Sequence, residues 1–531
     1  MELKEVERCC CVVKVSEAVS AKKSASCSGV VVHPQTGTII CTGLPFSRFL
    51  ADKGLLSSFS DDRFFLPPRS FTDNLQIRVN FAARRGLDSD QSPPRSRTPL
   101  LQGAAAELLM LVNCVDFKRA FQTLFQGVDQ WRFHGDETED EELIRDAQLL
   151  SWFAVLRTGV EAPSLQGSEG IPRQSSSALQ KGCPVVACGS PFGSVCLDLF
   201  ISTLSRGIVS NLAGEDNAVI LTDARCLPGT EGGGLFAVDD ASERVRLIGI
   251  IVSPFGWKAS EWIGLTLVCS VQAIFKTVIN CLSGEDPLRD TWQHPGEANL
   301  CMSTAAHGSE AYRYPTVCFV DSGQFWGSGV AVTSRLVVTC RHVANGKSTL
   351  TLKFHHKDRV RHIVGDVVFS TKASSPYDLA LVEMRVPFPE AVAPRMAKSF
   401  TPGQPVVVVG YGGLGRRCGP SLTSGVLSKA IILDSQPVML QTTCAVQAGA
   451  SGGAVVEKHS GELLGIVSSN ARDLATEVTY PHLNFCIPVT VFQNLLQDFR
   501  QTGDVSVFGV LDSAENQVRS VWRLQGAQSK L

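Results

Sequence analysis

Four short sequence landmarks occur twice in this chain of 531 residues, in the same order. In the second half they lie at residues 327–332, 339–342, 377–380 and 449–453, and in the first half at 27–32, 39–43, 151–154 and 229–233. A repeat of this extent requires both halves to adopt the same architecture. The sequence therefore predicts a duplicated fold, and the differences between the copies become the main guide to function.

The pattern of apolar residues predicts strands in both halves. Short runs rich in valine and isoleucine are separated by glycine, proline and polar turns, for example at 329–332, 336–338, 366–369, 379–382, 405–409 and 463–467. Helical spacing follows the last run of each half, at Val271, Ile274, Phe275 and Val278 and again at Phe492, Leu495, Leu496 and Phe499. We expect an all-β fold in which an amphipathic helix closes each copy.

Charge and hydropathy exclude several classes of protein. The formal net charge is -2 and no long basic run occurs, so no nucleic-acid partner is expected. The N-terminus carries acidic residues where a signal peptide would be basic, and no uninterrupted apolar stretch approaches the roughly 18 residues of a membrane span. We therefore expect neither secretion nor membrane insertion.

The cysteines are better interpreted as free thiols than as a disulfide framework. The chain has 18 of them but no Cys-x-x-Cys pair, which argues against a structural zinc site. Neither a metal nor a cofactor is expected. The run Cys9, Cys10 and Cys11 has no explanation at this stage, because alternating side chains along a strand would not face one metal together.

Ser451 has the surroundings of a catalytic nucleophile. It lies in a turn with Gly449, Gly452 and Gly453, and glycine permits backbone conformations and close approaches that a side chain would obstruct. If the N–H groups of Gly449 and Ser451 point into one pocket, they stabilise the oxyanion that forms when the hydroxyl attacks a peptide carbonyl.

Two further residues supply what a serine hydroxyl lacks. His342, at the end of a predicted strand, would take the proton of Ser451 and later donate it to the leaving amine. Asp378 would fix the tautomer of the imidazole and stabilise its charged form. We predict that His342, Asp378 and Ser451 form a catalytic triad.

The order and strand context of these residues resemble the chymotrypsin-like serine proteases, particularly the trypsin-like branch related to the Deg and HtrA proteases. The resemblance covers about residues 315 to 499 and implies a double β-barrel. The motifs that carry it are Gly-Ser-Gly-Val-Ala-Val, Leu-Val-Val-Thr-Cys-Arg-His-Val, Met-Leu-Gln-Thr-Thr-Cys-Ala-Val and Tyr-Pro-His-Leu-Asn-Phe.

The last three residues, Ser529, Lys530 and Leu531, match the address that a receptor reads for import into peroxisomes. With this tripeptide, and with the first-half motif Leu-Thr-Asp-Ala-Arg-Cys-Leu-Pro-Gly-Thr-Glu-Gly-Gly-Gly, the chain resembles the trypsin-domain-containing proteases of peroxisomes over nearly its whole length. That resemblance implies a location in the peroxisomal matrix and removal of N-terminal leaders from imported precursor proteins. It also implies limited processing of fatty-acid β-oxidation enzymes, self-cleavage, self-association into a homo-oligomer and contact with the import receptor.

The residues near Ser451 also suggest a substrate preference. Ala445 stands six positions before Ser451, where trypsin-like folds place the base of the primary specificity pocket. A buried arginine or lysine of the substrate would find no charge partner there, so cleavage after basic residues is disfavoured. Ser468 and Asn470 are expected on the opposite wall. The pocket should take a small, moderately apolar side chain, which agrees with the preference for cleavage near cysteine that the resemblance implies.

The first copy lacks all three catalytic side chains. The position of His342 corresponds to Gly43 or its neighbour, that of Asp378 to Trp152, and that of Ser451 to Glu231. None of these can act as base, orienting carboxylate or nucleophile in its place. We interpret this half as a degenerate, non-catalytic copy, and favour a packing role over substrate recruitment.

The predicted domains follow from these landmarks. A degenerate trypsin-like region spans 1–282, with insertions at about 84–103 and 134–147, and a linker spans 283–314. The active trypsin-like domain spans 315–500, and a tail spans 501–531. Self-cleavage is expected at about 82–104, where an exposed segment invites proteolysis. Two alternatives stay open: an inactive protease-like scaffold protein, and a broad quality-control protease of the HtrA type.

Overall fold

The structure is a computed structural model. It describes residues 3–17, 20–52, 64–82, 101–125, 131–132, 149–159, 165, 170, 172–193, 197–239, 244–254, 257–258, 261–282, 314–356, 359–413, 418–472, 479–513 and 515–523. Strands dominate these residues, as predicted.

The strands of the first half are β1 Cys10–Glu17, β2 Ser20–His33, β3 Thr38–Thr42, β4 Phe65–Leu66, β5 Leu75–Ala82, β6 Leu101–Asn113, β7 Trp131–Arg132, β8 Trp152–Arg157, β9 Pro184–Gly189, β10 Thr203–Ala213, β11 Val219–Thr222, β12 Gly234–Asp239, β13 Arg244–Pro254, β14 Trp257–Lys258, β15 Glu261–Trp262 and β16 Thr266–Ser270.

The strands of the second half are β17 Val317–Asp321, β18 Trp326–Ala331, β19 Leu336–Thr339, β20 Thr349–His356, β21 Arg359–Ser370, β22 Ala380–Met384, β23 Pro405–Gly410, β24 Ser421–Leu433, β25 Gln436–Thr442, β26 Ala454–Glu457, β27 Leu463–Arg472 and β28 Thr479–Pro488. Every strand predicted in this half is present, with ends that shift by a few residues.

The chain divides into two compact units. The first unit comprises Met1–Trp257 and Leu265–Ser303, and the second comprises Lys258–Gly264 and Thr304–Leu531. The predicted domain bounds stay a prediction, because the boundary between the units falls inside the predicted linker 283–314 and the predicted tail 501–531 belongs to the second unit. The short segment 258–264 comes from the first half of the sequence and groups with the second unit.

Each unit contains two six-stranded antiparallel barrels. In the first unit, β1-β2-β3-β8-β6-β5 closes because β6 pairs with both β5 and β8, and β9-β10-β11-β16-β13-β12 forms the second barrel. In the second unit the barrels are β17-β18-β19-β22-β21-β20 and β23-β24-β25-β28-β27-β26. The strand order is the same in both units, so the predicted all-β double-barrel fold and its duplication are confirmed.

The barrels are filled by the side chains that alternate inwards along each strand. In the second barrel of the first unit, these side chains include Val185, Val209, Ile220, Leu235 and Ile251, all buried. β-Branched residues suit such pleated, buried positions, which explains why valine and isoleucine runs predicted the strands well.

A helix follows the last strand of both copies, as predicted. Val271–Cys281 follows β16 and buries the apolar face that the sequence indicated, and Gln493–Thr502 follows β28. The other α-helices are Leu3–Cys9, Val115–Leu124, Leu197–Phe200, Arg341–Ala344 and Asn516–Trp522. The 3₁₀ helices are Leu44–Phe49, Pro68–Ser70, Ser176–Ala178, Glu215–Asn217, Val489–Val491 and Val505–Ser513. No helix among the described residues is long and apolar enough to span a membrane.

The N-terminal cysteine run has a packing explanation. Cys9 ends the first helix and its thiol donates to Val6 O at 3.2 Å, while Cys10 and Cys11 begin β1. All three side chains are buried. The Cys10 thiol donates to Cys188 O on β9 at 3.6 Å, so the run supplies small buried side chains and does not form a metal-binding cluster facing one way.

Several predicted features fall outside the described residues. The insertion at about 84–103 is described only at 101–103, where β6 begins, and the insertion at 134–147 is not described. The linker 283–314 is described only at its last residue. The targeting tripeptide at 529–531 also lies outside, as does most of the segment predicted for self-cleavage.

Candidate active site

His342 lies on a one-turn helix that begins directly after β19. This helix, Arg341–Ala344, ends at Asn345, whose φ of 49° is left-handed and stops the helix. The His342 side chain is 50% exposed. A strand followed by a single helical turn thus presents one edge of the imidazole to solvent while its backbone stays fixed to the barrel.

Asp378 holds His342 through two hydrogen bonds. One carboxylate oxygen pairs with the ring Nδ1 of His342, and the other accepts from the backbone N of His342 at 3.0 Å. An ionised carboxylate only accepts, so Nδ1 carries a proton, and the tautomer of the neutral imidazole that fits this contact has its lone pair on Nε2. The side chain of Asp378 is 16% exposed, against 50% for His342.

The charge of Asp378 is stabilised where it lies. Burial by itself would raise the pKa of this carboxyl, but the hydrogen bonds from the ring and backbone of His342, with the positive charge of Arg341, outweigh burial and lower the pKa below its ordinary value. Arg341 Nε lies 3.6 Å from Asp378 Oδ1. Asp378 is therefore an anion at neutral pH and acts as an acceptor for His342.

The turn around Ser451 requires glycine at two positions. Gly449 has a φ of 93°, and a Cβ added there would stand 2.0 Å from the ring of Trp326. Gly452 has a φ of 85°, and a Cβ there would stand 2.0 Å from the carbonyl oxygen of Ser328. Any larger residue would be strained and would also clash at either position.

Ser328 in β18 ties this turn to the barrel that carries His342. Its backbone N donates to Ser451 O at 2.8 Å and its hydroxyl donates to Gly449 O at 2.7 Å. The same hydroxyl oxygen accepts from the backbone N of Tyr411 at 2.8 Å. Because Ser328 is fully buried, this network fixes the carbonyl groups of Gly449 and Ser451.

Two N–H groups of the turn remain available for a ligand. Among the described residues, neither the N–H of Gly449 nor that of Ser451 has a protein acceptor, whereas Ala450 N donates to Gln447 O at 3.0 Å. The hydroxyl of Ser451 donates to Ser468 O at 3.2 Å. The turn therefore has the free donors that an oxyanion requires.

Cys340 lies behind the His342 and Asp378 pair. Its thiol donates to Val467 O at 3.2 Å, and burial raises its pKa well above the ordinary value. Cys340, His342 and Asp378 offer potential metal-ligand atoms within 4.8 Å of one another. However, the protonated thiol and the hydrogen bond between ring and carboxylate already engage these atoms with the protein.

The predicted specificity residues lie on two neighbouring segments. Ala445 is buried, and Ser468 lies on β27. Asn470 also lies on β27, and its Nδ2 donates to Val446 O at 3.3 Å, which connects the two segments. Side chains from other strands hold the carbonyl groups of residues 443–445. Thr423 donates to Ala445 O at 2.8 Å, Asn484 donates to Cys444 O at 2.6 Å, and the His482 ring lies 3.1 Å from Thr443 O.

The residues after the last barrel strand pack against the loop that leads to Asp378. Lys372 N donates to Asp512 Oδ1 at 2.7 Å, and the Ser375 hydroxyl donates to Leu511 O at 2.7 Å. Asp512 and Leu511 belong to the 3₁₀ helix near the end of the chain. Described residues of the predicted tail therefore pack against the strands and loops of the second unit.

The register of the strands aligns the two copies residue by residue. Gly29 pairs with Cys41 as Gly329 pairs with Thr339, so the position of His342 corresponds to Leu44. This resolves the prediction of Gly43 or its neighbour in favour of the neighbour. Cys41 pairs with Ala154 as Thr339 pairs with Ala380, which places Trp152 at the position of Asp378, as predicted.

Glu231 occupies the nucleophile position of the first copy. Ser28 N donates to Glu231 O at 2.9 Å, in the way that Ser328 N donates to Ser451 O. The carboxylate of Glu231 accepts from Gly229 N at 2.6 Å. Gly229 corresponds to Gly449. In the first copy, the N–H group at this position is therefore already bonded to the Glu231 side chain and is not available to an oxyanion.

The sequence reasoning missed four residues that shape the site: Trp326, Ser328, Cys340 and Gln447. Ser328 and Cys340 are parts of quoted landmarks, and the matching serine in the first half was a usable signal. Trp326 and Gln447 carried no sequence signal, because their contacts join residues far apart in the chain.

A barrel pair with a histidine and an aspartate on the first barrel and a glycine-framed serine on the second defines a trypsin-like serine protease. A family model described as trypsin-like peptidase domain matches residues 327–466. Solved structures that match part of the chain include a serine endoprotease from Yersinia pestis, with 23% identity over 36% of this chain and 65% of that chain and a TM-score of 0.29. The Rv3671c protease of M. tuberculosis in its inactive form has 23% identity over 36% of this chain and 90% of that chain, with a TM-score of 0.27.

Two curated relatives match along the whole chain. The peroxisomal leader peptide-processing protease of Mus musculus is 39% identical, covering 100% of this chain and 98% of the relative. That of Homo sapiens is 39% identical, covering 98% of this chain and 97% of the relative. The chain belongs to the family of peroxisomal leader peptide-processing proteases.

Proposed function

We propose that the second unit is a serine endopeptidase that removes N-terminal leaders from proteins imported into peroxisomes. Ser451 is the nucleophile, His342 the general base, and Asp378 the residue that orients it. The observation that carries this proposal is the double hydrogen bond from His342 to Asp378, together with the N–H groups of Gly449 and Ser451, which have no acceptor in the part of the chain that the structure describes.

The chemistry follows from these positions. Rotation about the Cα–Cβ bond of Ser451 exchanges the hydrogen bond to Ser468 O for one to Nε2 of His342. His342 then takes the hydroxyl proton as Oγ attacks the scissile carbonyl, and the N–H groups of Gly449 and Ser451 receive the oxyanion. Asp378 stabilises the imidazolium, which donates its proton to the leaving amine. Water repeats these steps to release the acyl group.

The specificity residues support a small substrate side chain. Ala445 contributes no charge and only one methyl group, and Ser468 and Asn470 supply neutral polar groups on the adjoining segment. A substrate arginine would be buried without a carboxylate, which costs several kcal/mol. We expect the best turnover after small, moderately apolar residues, and a fluorogenic peptide panel in which arginine is best would contradict this.

The direct test uses a leader-bearing peroxisomal precursor protein. The purified protein should release the leader at one site, and the Ser451→Ala variant should release none. Equal product from both proteins would refute the proposal and favour an inactive scaffold. Degradation of unfolded casein at a rate similar to that of precursor cleavage would instead favour a quality-control protease of the HtrA type.

The location of the protein is a separate proposal. Matrix localisation is supported by the relatives that are named peroxisomal, and the predicted signal at Ser529, Lys530 and Leu531 belongs to this proposal. Deleting Leu531 should disperse a tagged protein into the cytosol. An undiminished peroxisomal signal would contradict it.

We also propose that the protein cleaves itself within about 82–104 and processes fatty-acid β-oxidation enzymes. Discrete fragments of the purified protein should disappear in the Ser451→Ala variant. Fragments that persist unchanged would assign the cleavage to another protease. Self-association and contact with the import receptor are proposals that size-exclusion chromatography and receptor pull-down test directly.

A further inference from the structure

A short segment from the first half of the sequence contacts the active site of the second unit. Residues 258–264 lie between β13 and β16 in the chain, but they belong to the second unit. The end of this segment, Ile263 and Gly264, is called the anchor segment here. It touches both the turn that carries Ser451 and the base of the proposed specificity pocket.

The first contact of the anchor segment holds the residue that begins the nucleophile turn. Gln447 Nε2 donates to Ile263 O at 2.7 Å, and Gln447 and Ile263 are only 5% and 2% exposed. The carbonyl of Gln447 accepts from Ala450 N at 3.0 Å. The side chain of Gln447 is thus held by Ile263. The backbone carbonyl of Gln447 closes the turn that contains Gly449.

The space around the Gln447 amide leaves it little freedom. A Cβ added to Gly412 would stand 2.7 Å from Gln447 Oε1, so Gly412 borders the amide closely. The amide is therefore confined at a buried site where an unmade hydrogen bond is costly. Loss of the bond to Ile263 would let the start of the turn shift.

The second contact lies at the base of the pocket. Gly264 has a φ of 69°, and a Cβ added there would stand 3.6 Å from Ala445 Cβ, 3.4 Å from Pro481 Cγ and 3.3 Å from His482 Nε2. Ala445 is the residue assigned to the base of the specificity pocket. A Cβ at 264 would therefore be tight against His482 Nε2 and in van der Waals contact with Ala445, so the atoms of a longer side chain would have to be placed beside the pocket base.

We propose that the anchor segment is a positioning element of the active site: Ile263, through Gln447, sets the oxyanion N–H groups, and Gly264 sets the shape of the pocket base at Ala445. This inference rests on the proposed function. It gives the non-catalytic half of the sequence a part in turnover and selectivity without any reacting side chain.

The first test removes the hydrogen bond to Ile263. Gln447→Leu keeps the size of the side chain and loses the donor, and Gln404→Leu is the matched control, because the amide of Gln404 accepts only from nearby Thr401 N at 2.8 Å. A fluorophosphonate probe should label Ser451 about tenfold more slowly in Gln447→Leu, with kcat lowered similarly and KM nearly unchanged. Gln404→Leu should match the unmodified protein. Should Gln447→Leu fail to fold, Gln447→Asn, which shortens the amide by one methylene, carries the same test.

The second test changes the pocket base. Gly264→Asn suits a left-handed backbone but brings a side chain against Ala445. In a peptide panel varied at the residue before the cut, the ratio of kcat/KM for alanine over leucine should rise about tenfold. A uniform loss for all peptides is what general destabilisation would give.

The outcomes separate the two levels of inference. If the unmodified protein shows no labelling of Ser451, the proposed function is wrong and the anchor segment has no site to position. If Ser451 labels normally but Gln447→Leu matches the control and Gly264→Asn keeps the same peptide ratio, only the inference about the anchor segment is overturned.

Discussion

The N–H of one glycine distinguishes the two copies chemically. In the first copy Gly229 N donates to the Glu231 carboxylate at 2.6 Å, and in the second the N–H of Gly449 has no acceptor among the described residues. The first copy has therefore lost more than a nucleophile. One of the donors that would bind an oxyanion is satisfied internally, and Leu44 and Trp152 supply neither a base nor a carboxylate.

Restoring a serine to the first copy should not restore activity. In a Ser451→Ala background, Glu231→Ser frees the N–H of Gly229 but still leaves the hydroxyl without a base. Peptide hydrolysis should stay at the level of Ser451→Ala alone. Turnover that appears on adding Glu231→Ser would show that the first copy retains a base that the structure does not reveal.

Asp378→Asn should nearly abolish catalysis while the fold persists. An amide at this position can donate to Nδ1, which favours the wrong tautomer of His342, and kcat should fall by roughly 10⁴-fold. Asp321→Asn is the matched control, since Asp321 pairs with Lys353 at 3.2 Å in the same barrel and contacts no proposed catalytic group. A loss of less than tenfold for Asp378→Asn would remove Asp378 from the proposed triad.

The stability of the protein should depend on the charge of Asp378 in acid. Its folded-state pKa is lowered, so its contribution to the free energy of unfolding is complete above the ordinary unfolded value of about 3.9 and disappears as pH falls through the folded value. Denaturant unfolding should show a difference between the protein and Asp378→Asn that is constant near pH 7 and shrinks below about pH 4. A difference that grows in acid would contradict the sign of this shift.

At the scale of secondary-structure elements, the 3₁₀ helix Val505–Ser513 fixes the loop before Asp378. Asp512 accepts from Lys372 N at 2.7 Å, and Phe508 stacks on Phe369 with ring centroids 5.1 Å apart. The first contact holds Lys372 in the loop before Asp378, and the second packs the 3₁₀ helix on the end of β21, where that loop begins. The position of Asp378 thus depends on an element beyond the last barrel strand.

Asp512→Ala should lower kcat several-fold without changing KM. The variant removes the acceptor for Lys372 N, and the loop before Asp378 loses a charge-assisted hydrogen bond. Asp504→Ala is the control, because the Asp504 carboxylate accepts from Ser506 in its own turn, at 2.8 Å from the backbone N and 2.7 Å from the hydroxyl, and no bond from this carboxylate to the loop before Asp378 occurs among the described residues. Asp512→Asn retains an acceptor and should recover most of the rate. Equal kcat for all three variants would show that the loop needs no support from this helix.

Strands and helices could be predicted from the sequence where the pattern that indicates them lies within a few neighbouring residues. The uninterrupted valine run at 406–409 predicted β23, and the spacing of Val271, Ile274 and Phe275 predicted the helix after β16, because each signal depends on near neighbours in sequence. The match of Leu44 to His342 needed the strand register, which the sequence does not contain. The contact of Gln447 with Ile263 joins residues 184 positions apart, and no periodicity reports such a pair.

At the scale of the whole molecule, both units have the same strand order, but the first unit lacks the catalytic side chains. Both units build the same two barrels, and Ser28 and Ser328 make the same hydrogen bonds to their glycine turns. Packing and hydrogen bonding of the main chain therefore survive without the catalytic side chains, since fold and function have separate requirements. The part of the first half that bears on catalysis is then the anchor segment at 263–264.

The most direct measurement maps a fluorophosphonate label on the full-length protein by mass spectrometry. Modification should occur at Ser451 and should be lost in His342→Ala and in Ser451→Ala, with no labelled serine in the first half. Label on a first-half residue, or label that persists at full rate in His342→Ala, would contradict the claim that His342, Asp378 and Ser451 form the working site of this chain.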